Sequence, residues 1–115
     1  MESKNAKIYF RYIQLLDDLK KSYGKSMVDH IELDILNAVF RLSHDQQEVL
    51  VSDICAIRAI ASPATMHNRI SSLVKKRYLK HIEGKDARKR YLALTKNATD
   101  YFDAVSDCFL KASTH

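Results

Sequence analysis

The chain has 115 residues, of which 46% are hydrophobic and 29% charged, with one Pro and two Gly. That suits a single globular domain with one core and argues against disorder or a β-sandwich full of tight turns. The net charge is +5, and no apolar run approaches the roughly 20 residues of a membrane helix, because Arg11, Asp17 and Asp18 interrupt the best candidate.

The segment 7–19 is apolar at Ile8, Tyr9, Tyr12, Ile13, Leu15, Leu16 and Leu19. The spacing is helical, but the apolar arc is wider than one face requires, so the reading is a helix that buries a second face on a partner. Gly24 is its expected C-cap. A second helix is expected from residue 29 or 30 to 42, with Ile31, Ile35, Leu36, Val39, Phe40 and Leu42 as its stripe and Ser43-His44-Asp45 ending it. A short β-branched piece at 49–51 follows. Ser52 then reads as the N-cap of a third helix over 53–59, with Ile54, Ile57 and Cys55 facing inward.

The fourth helix has the clearest start: Ser62 as N-cap and Pro63 at the first helical position, where a missing N–H costs nothing. Met66, Ile70, Leu73 and Val74 mark its buried side. Ala64, Thr65, Asn68, Ser71, Ser72 and Lys75 lie opposite, with His67 and Arg69 on the flanks. Alternating strands are expected at 78–83 and 90–94, joined by the basic loop 84–89. Thr95 N-caps a last helix with the stripe Tyr101, Phe102, Val105, Cys108, Phe109 and Ala112. Two short helices, a tight turn and a β-hairpin make a mainly α, α+β winged helix-turn-helix. The motif spans about 52–76, the wing about 78–94, and flanking helices about 7–20 and 95–112, within one domain over 1–115.

Charge is segregated along this plan. Residues 62–96 hold ten cations against Glu83 and Asp86, or +8, while the remainder holds nine cations and twelve anions, or −3. A basic helix and hairpin suit double-stranded DNA. In such a motif the second helix enters the major groove. Ser62 and the first-turn N–H groups are placed for a phosphate. Ala64 permits close approach, and Thr65 and Asn68 can hydrogen-bond bases. His67, Arg69, Ser72 and Lys75 complete the candidate surface on the helix. Lys85, Arg88, Lys89 and Arg90 cluster on the wing, where long side chains can enter a minor groove. Asp86 is expected to pair with Arg88 and fix its guanidinium beforehand.

At Val51-Ser52-Asp53-Ile54, Ser62-Pro63-Ala64-Thr65, Asp86-Ala87-Arg88 and Leu94-Thr95 the chain resembles the MarR-type winged helix regulators, over about residues 33–102. The resemblance implies a homodimeric transcription regulator, dimerised through its N- and C-terminal helices, that reads a pseudo-palindromic operator with the helix 62–76. It also implies that Arg88 enters the minor groove. Three departures stand out. The connection Ala59-Ile60-Ala61 lacks the usual Gly and is a residue longer, Arg77 replaces a Gly at the end of the recognition helix, and the C-terminal helix is expected to be short.

No enzyme signature is present: there is no GxGxxG or P-loop. His30, His44, His67, His81 and His115 are scattered, without zinc spacing. No metal or cofactor is therefore expected, and a small-molecule effector is not legible. Cys55 and Cys108 form no disulfide framework, and the polar N-terminus has no signal-peptide core, which places the chain in the reducing cytoplasm. The competing reading is a winged helix used as a protein-interaction module or as an accessory nucleic-acid binder without sequence readout.

Overall fold

The computed structural model describes residues 3–46 and 48–114, so His115 lies outside the described residues. The chain forms two compact units, one from residues 3–27 and 100–114, the other from Val28–Thr99.

In the first unit, α1 (Lys4–Tyr23) begins three residues earlier than the apolar pattern, because the Ser3 hydroxyl accepts the Ala6 N–H at 3.0 Å. It ends at Gly24, whose φ of +56° is one that residues with a Cβ rarely adopt, and a single 3-10 turn, Gly24–Ser26, follows. No residue of α1 is buried, and Tyr9 and Phe10 are 65% and 57% exposed. The last helix, α5 (Lys96–Ser113), contributes its later turns to this unit. There Tyr101, Cys108 and Ala112 are buried, but Phe109, expected on the same stripe, is 56% exposed. The buried line passes through 101, 108 and 112, and Phe109 stands one residue, about 100°, off it. Tyr12 meets Phe109 edge-on at 6.3 Å, and Tyr23 meets Tyr101 at 5.4 Å. The Arg11 guanidinium donates twice to the Ala112 carbonyl, at 2.8 and 3.1 Å, satisfying an acceptor near the helix end.

The second unit opens with α2 (His30–Asp45). Asp29 accepts the Glu32 N–H at 2.8 Å and Glu32 accepts the Asp29 N–H at 2.9 Å, a reciprocal capping box. The helix runs on through Ser43-His44-Asp45, which form its exposed last turn rather than its end. Ile35, Leu36 and Val39 are fully buried, whereas Phe40, expected on that stripe, is 52% exposed. Then come β1 (Val49–Leu50), α3 (Val51–Cys55), α4 (Pro63–Lys75), β2 (Leu79–Ile82) and β3 (Tyr91–Leu94). The sheet is antiparallel in the order β1-β3-β2, so the hairpin carries a third strand, with Val49 opposite Leu92 and Leu79 opposite Leu94. Ile54, Met66, Ile70, Leu73, Leu79 and Leu92 belong to this unit's core.

The third helix corrects the expectation. It covers Val51–Cys55 rather than 53–59, and Ser52 is not its cap. The Val51 N–H still bonds to the Arg90 carbonyl at 3.0 Å, so the strand ladder hands over directly to the helix. Ser52 is thereby left inside the first turn. Beyond Cys55 the chain passes through two turns to Ser62, and Ile57 is only half-buried. Among the described residues no helix is long and apolar enough to cross a membrane.

Candidate nucleic-acid interface

Helix α4 starts as its sequence dictates: the Ser62 hydroxyl accepts the Thr65 N–H at 3.4 Å, with Pro63 in the first turn. Met66, Ile70 and Leu73 anchor its inner side. At its end the Arg77 N–H bonds to the Val74 carbonyl (3.0 Å) and the Tyr78 N–H to the Leu73 carbonyl (2.9 Å). This is a Schellman closure, in which the residue after the cap is left-handed. That residue is Arg77, at φ +68°. Tyr78 is thereby drawn into the closure and β2 begins at Leu79, one residue later than the alternation suggests.

The solvent side of α4 divides into two rows. Ala64, Asn68, Ser71 and Lys75, spaced four, three and four, are exposed and point outward, with His67 exposed beside them. Thr65, Arg69, Ser72 and Lys76 have the same spacing but are half-buried. Each of this second row is engaged within the protein. Thr65 Oγ1 accepts from the Ser62 hydroxyl at 3.1 Å. Arg69 pairs with Asp29 at 2.7 Å, and Lys76 with Glu32 at 2.9 Å. Ser72 faces Glu32 as well and acts to lower its carboxyl. Burial pushes the Glu32 carboxyl up, but Lys76, the Asp29 N–H and Ser72 together outweigh it and hold the group below its usual range.

The wing is anchored at its base by residues that the sequence did not single out. A Cβ on Gly84 would run into the Tyr91 ring and the Glu48 carboxylate. Glu48 accepts the Lys85 N–H at 2.9 Å, and the Tyr91 hydroxyl accepts the Asp86 N–H at 3.2 Å. Asp86 receives the Arg88 guanidinium through both carboxylate oxygens, at 3.1 and 3.2 Å, and the Arg88 N–H at 3.0 Å. The Arg88 guanidinium and backbone hold the Asp86 carboxyl below its usual range. The Arg88 side chain is nonetheless 90% exposed, a fixed but accessible cation. Lys85, Lys89 and Arg90 are exposed around it. Arg90 Nη2 also lies 3.4 Å from His81 Nε2.

Between α3, the start of α4 and the wing lies an open groove of about 620 Å³. Arg58, His67, Arg88, Lys89 and Arg90 line it over an apolar floor that includes Val51, Cys55 and Pro63. Burial pushes the Cys55 thiol up against the opposing pull of Arg90, so it is the neutral packing form. Of the sequence-derived residues, the structure brings Ala64, His67, Asn68 and Lys75 to the open side of α4 and Lys85, Asp86, Arg88, Lys89 and Arg90 to the wing. Ser62, Thr65 and Arg69 carry internal hydrogen bonds or an ion pair, and Ser72 is half-buried on the side of Glu32. The sequence reading puts Ser71 on the open side but outside the candidate contacts, and does not single out Arg58. The row spacing 64-68-71-75 signals Ser71, but nothing in the sequence places Arg58, in the connection, beside the wing. Among the described residues no group of three or more His, Cys, Asp or Glu side chains is placed to hold a metal.

No family model matches the sequence, and no curated protein shows significant sequence similarity. Solved structures do match. S. aureus MepR in complex with DNA superposes with a TM-score of 0.70 at 17% identity, covering 93% of this chain and 76% of that one. The same protein bound to ethidium bromide gives 0.69 at 15%, covering 96% and 72%. A mutant MarR from E. coli gives 0.60 at 9%, covering 94% and 76%. The solved structures that it resembles are MarR-type transcriptional regulators rather than enzymes. The chain has the winged helix-turn-helix fold of that family.

Proposed function

We propose that this protein is a sequence-specific, DNA-binding transcriptional regulator that works in the cytoplasm as a homodimer. The observation that carries the reading is the outward row Ala64, Asn68, Ser71 and Lys75 on a helix whose neighbouring wing presents Arg88 already oriented by Asp86. Small and polar side chains at the start of the row suit the major groove. The basic wing suits the adjacent backbone and minor groove. MepR, whose fold this chain shares, has been crystallised with DNA and with ethidium bromide. Duplex DNA is thus the first partner to test, and a small-molecule effector the second.

The test is selection from a random duplex pool at physiological salt, with the mass of the bound species recorded. The expected result is an inverted repeat with half-sites about one helical turn apart, bound by two chains. Arg88→Ala then weakens binding to every duplex, whereas Asn68→Ala relaxes base preference. Retention at low salt with no enriched sequence refutes sequence readout and leaves a basic winged helix that grips backbone alone. The exposed Tyr9, Phe10, Phe109 and Leu110 of the first unit favour a second reading, a protein-interaction module, only if salt-insensitive protein binding is found without DNA binding.

A further inference from the structure

Arg69 and Lys76 are seven residues apart, so two turns place them on one edge of α4. Their partners, Asp29 and Glu32, are three apart in the first turn of α2. Both acids already form the capping box. Asp29 uses Oδ1 for the Glu32 N–H and Oδ2 for Arg69, and Glu32 Oε1 receives both the Asp29 N–H and Lys76 Nζ. Glu32 is only 1% exposed, and a carboxylate so buried is costly to leave without its cation. The Glu32–Lys76 pair is therefore part of the start of α2, and the Asp29–Arg69 pair, with side chains 39% and 38% exposed, is tied to it through the capping box.

We infer that Asp29 and Glu32 are positioning residues that clamp the recognition helix through Arg69 and Lys76, so that these two cations set the roll of α4 about its axis and do not contact phosphate. The inference rests on the DNA-binding reading above. Roll matters to base readout. On a helix about 10–12 Å across, a roll of about 20° carries an outward side-chain tip about 2 Å sideways, more than a hydrogen bond to a base edge tolerates. The clamp holds one edge of α4, and the outward row Asn68, Ser71 and Lys75 is aimed by it. Of the three cations Arg69, Lys75 and Lys76 along α4 and its C-cap, only Lys75 is left for DNA.

Asp29→Asn keeps a capping oxygen but removes the charge that holds Arg69, and Arg69→Ala removes the other half of the pair. Each variant, and the double variant, is titrated by fluorescence anisotropy against the pool-selected duplex and a scrambled duplex at several salt concentrations, beside Arg88→Ala. The clamp predicts that each single change lowers the selected-to-scrambled affinity ratio about two- to fivefold, the upper range of such a pair. The double change then costs no more than either single one, and the salt slope is unaltered. A phosphate contact by Arg69 would overturn the clamp: Arg69→Ala would flatten the slope by about one unit, and Asp29→Asn would tighten binding to both duplexes. Loss of affinity in Arg88→Ala reports separately on the DNA reading. Should the parent bind neither duplex, that reading falls and thermal melts decide the clamp. Coupled losses in melting temperature between Asp29→Asn and Arg69→Ala uphold it, and additive losses reject it.

Discussion

Arg77→Gly is expected to stabilise the protein, although it deletes a whole side chain. Arg77 closes α4 at φ +68°, a conformation that costs a residue with a Cβ about 1–2 kcal/mol. Glycine removes that strain but brings a looser unfolded chain, which gives back about 0.5–1 kcal/mol. The net gain is about 0.5–1 kcal/mol, or roughly 2–5 °C in melting temperature for a domain of this size. The closure itself survives, because its bonds run through the Arg77 and Tyr78 N–H groups and through the Thr95 hydroxyl to the Arg77 carbonyl. None of these uses the guanidinium. A competing cause is relief of repulsion in the cationic run Lys75-Lys76-Arg77. Arg77→Ala separates the two, since it removes the charge and keeps the Cβ, while Arg77→Asn removes the charge and tolerates the left-handed region better. Urea unfolding at unchanged m should rank the midpoints Gly, then Asn, then Ala close to Arg. If Ala stabilised as much as Gly, charge repulsion and not backbone strain would be the cause. If Gly destabilised, the strain argument would be wrong.

Acid should weaken the second unit in a defined direction: Glu32 and Asp86 both sit below their ordinary values of 4.5 and 3.8. Their stabilising effect is complete above those values and is lost as pH falls through the lower folded ones. Urea midpoints should therefore drop below about pH 4.5, and Glu32→Gln should lower the neutral midpoint while flattening that drop. Gly84→Ala should cost about 1–3 kcal/mol, the usual range for overpacking, because the new Cβ meets the ring of buried Tyr91 and the Glu48 carboxylate. Urea midpoints measure the loss, and duplex affinity should fall with it as the wing is displaced. Phe10→Glu together with Phe109→Glu should halve the mass seen in sedimentation while leaving the far-ultraviolet dichroism per residue intact, since both rings are more than half exposed in the single chain.

Local signals in the sequence carried α4 and the wing. A Ser-Pro start, an apolar line at 66, 70 and 73, and a Thr before the last helix each act within four residues, and each appears where the pattern put it. The Asp86–Arg88 pair is equally local, a two-residue separation on a hairpin. The third helix failed for the opposite reason. Its start is set by pairing with β3, some forty residues away, which makes the Val51 N–H a ladder donor and overrides the capping preference of Ser52. Phe40 and Phe109 failed because apolar periodicity reports hydrophobicity, and both rings stand about one residue off the line that is buried.

The half-buried row of α4 shows the same division within a single helix. A helical wheel assigns Thr65 and Ser72 to the open arc and Arg69 to its flank, because it counts angle from the apolar side and knows nothing of neighbours. In the folded chain the first turn of α2 closes that flank, with Asp29 and Glu32 lying 40 and 44 residues from the cations that they hold. The acids themselves were legible as a capping box, Asp-x-x-Glu, yet were read for neither role. A motif that caps one helix keeps acceptor capacity, and here Asp29 Oδ2 takes Arg69 while Glu32 Oε1 takes Lys76 beside the Asp29 N–H. Whether a charged residue on a recognition helix meets DNA thus depends on what the motif's other helices offer it first. Arg69 and Lys76 find carboxylates within 3 Å, whereas Lys75, one residue away from Lys76, is exposed on the outward row.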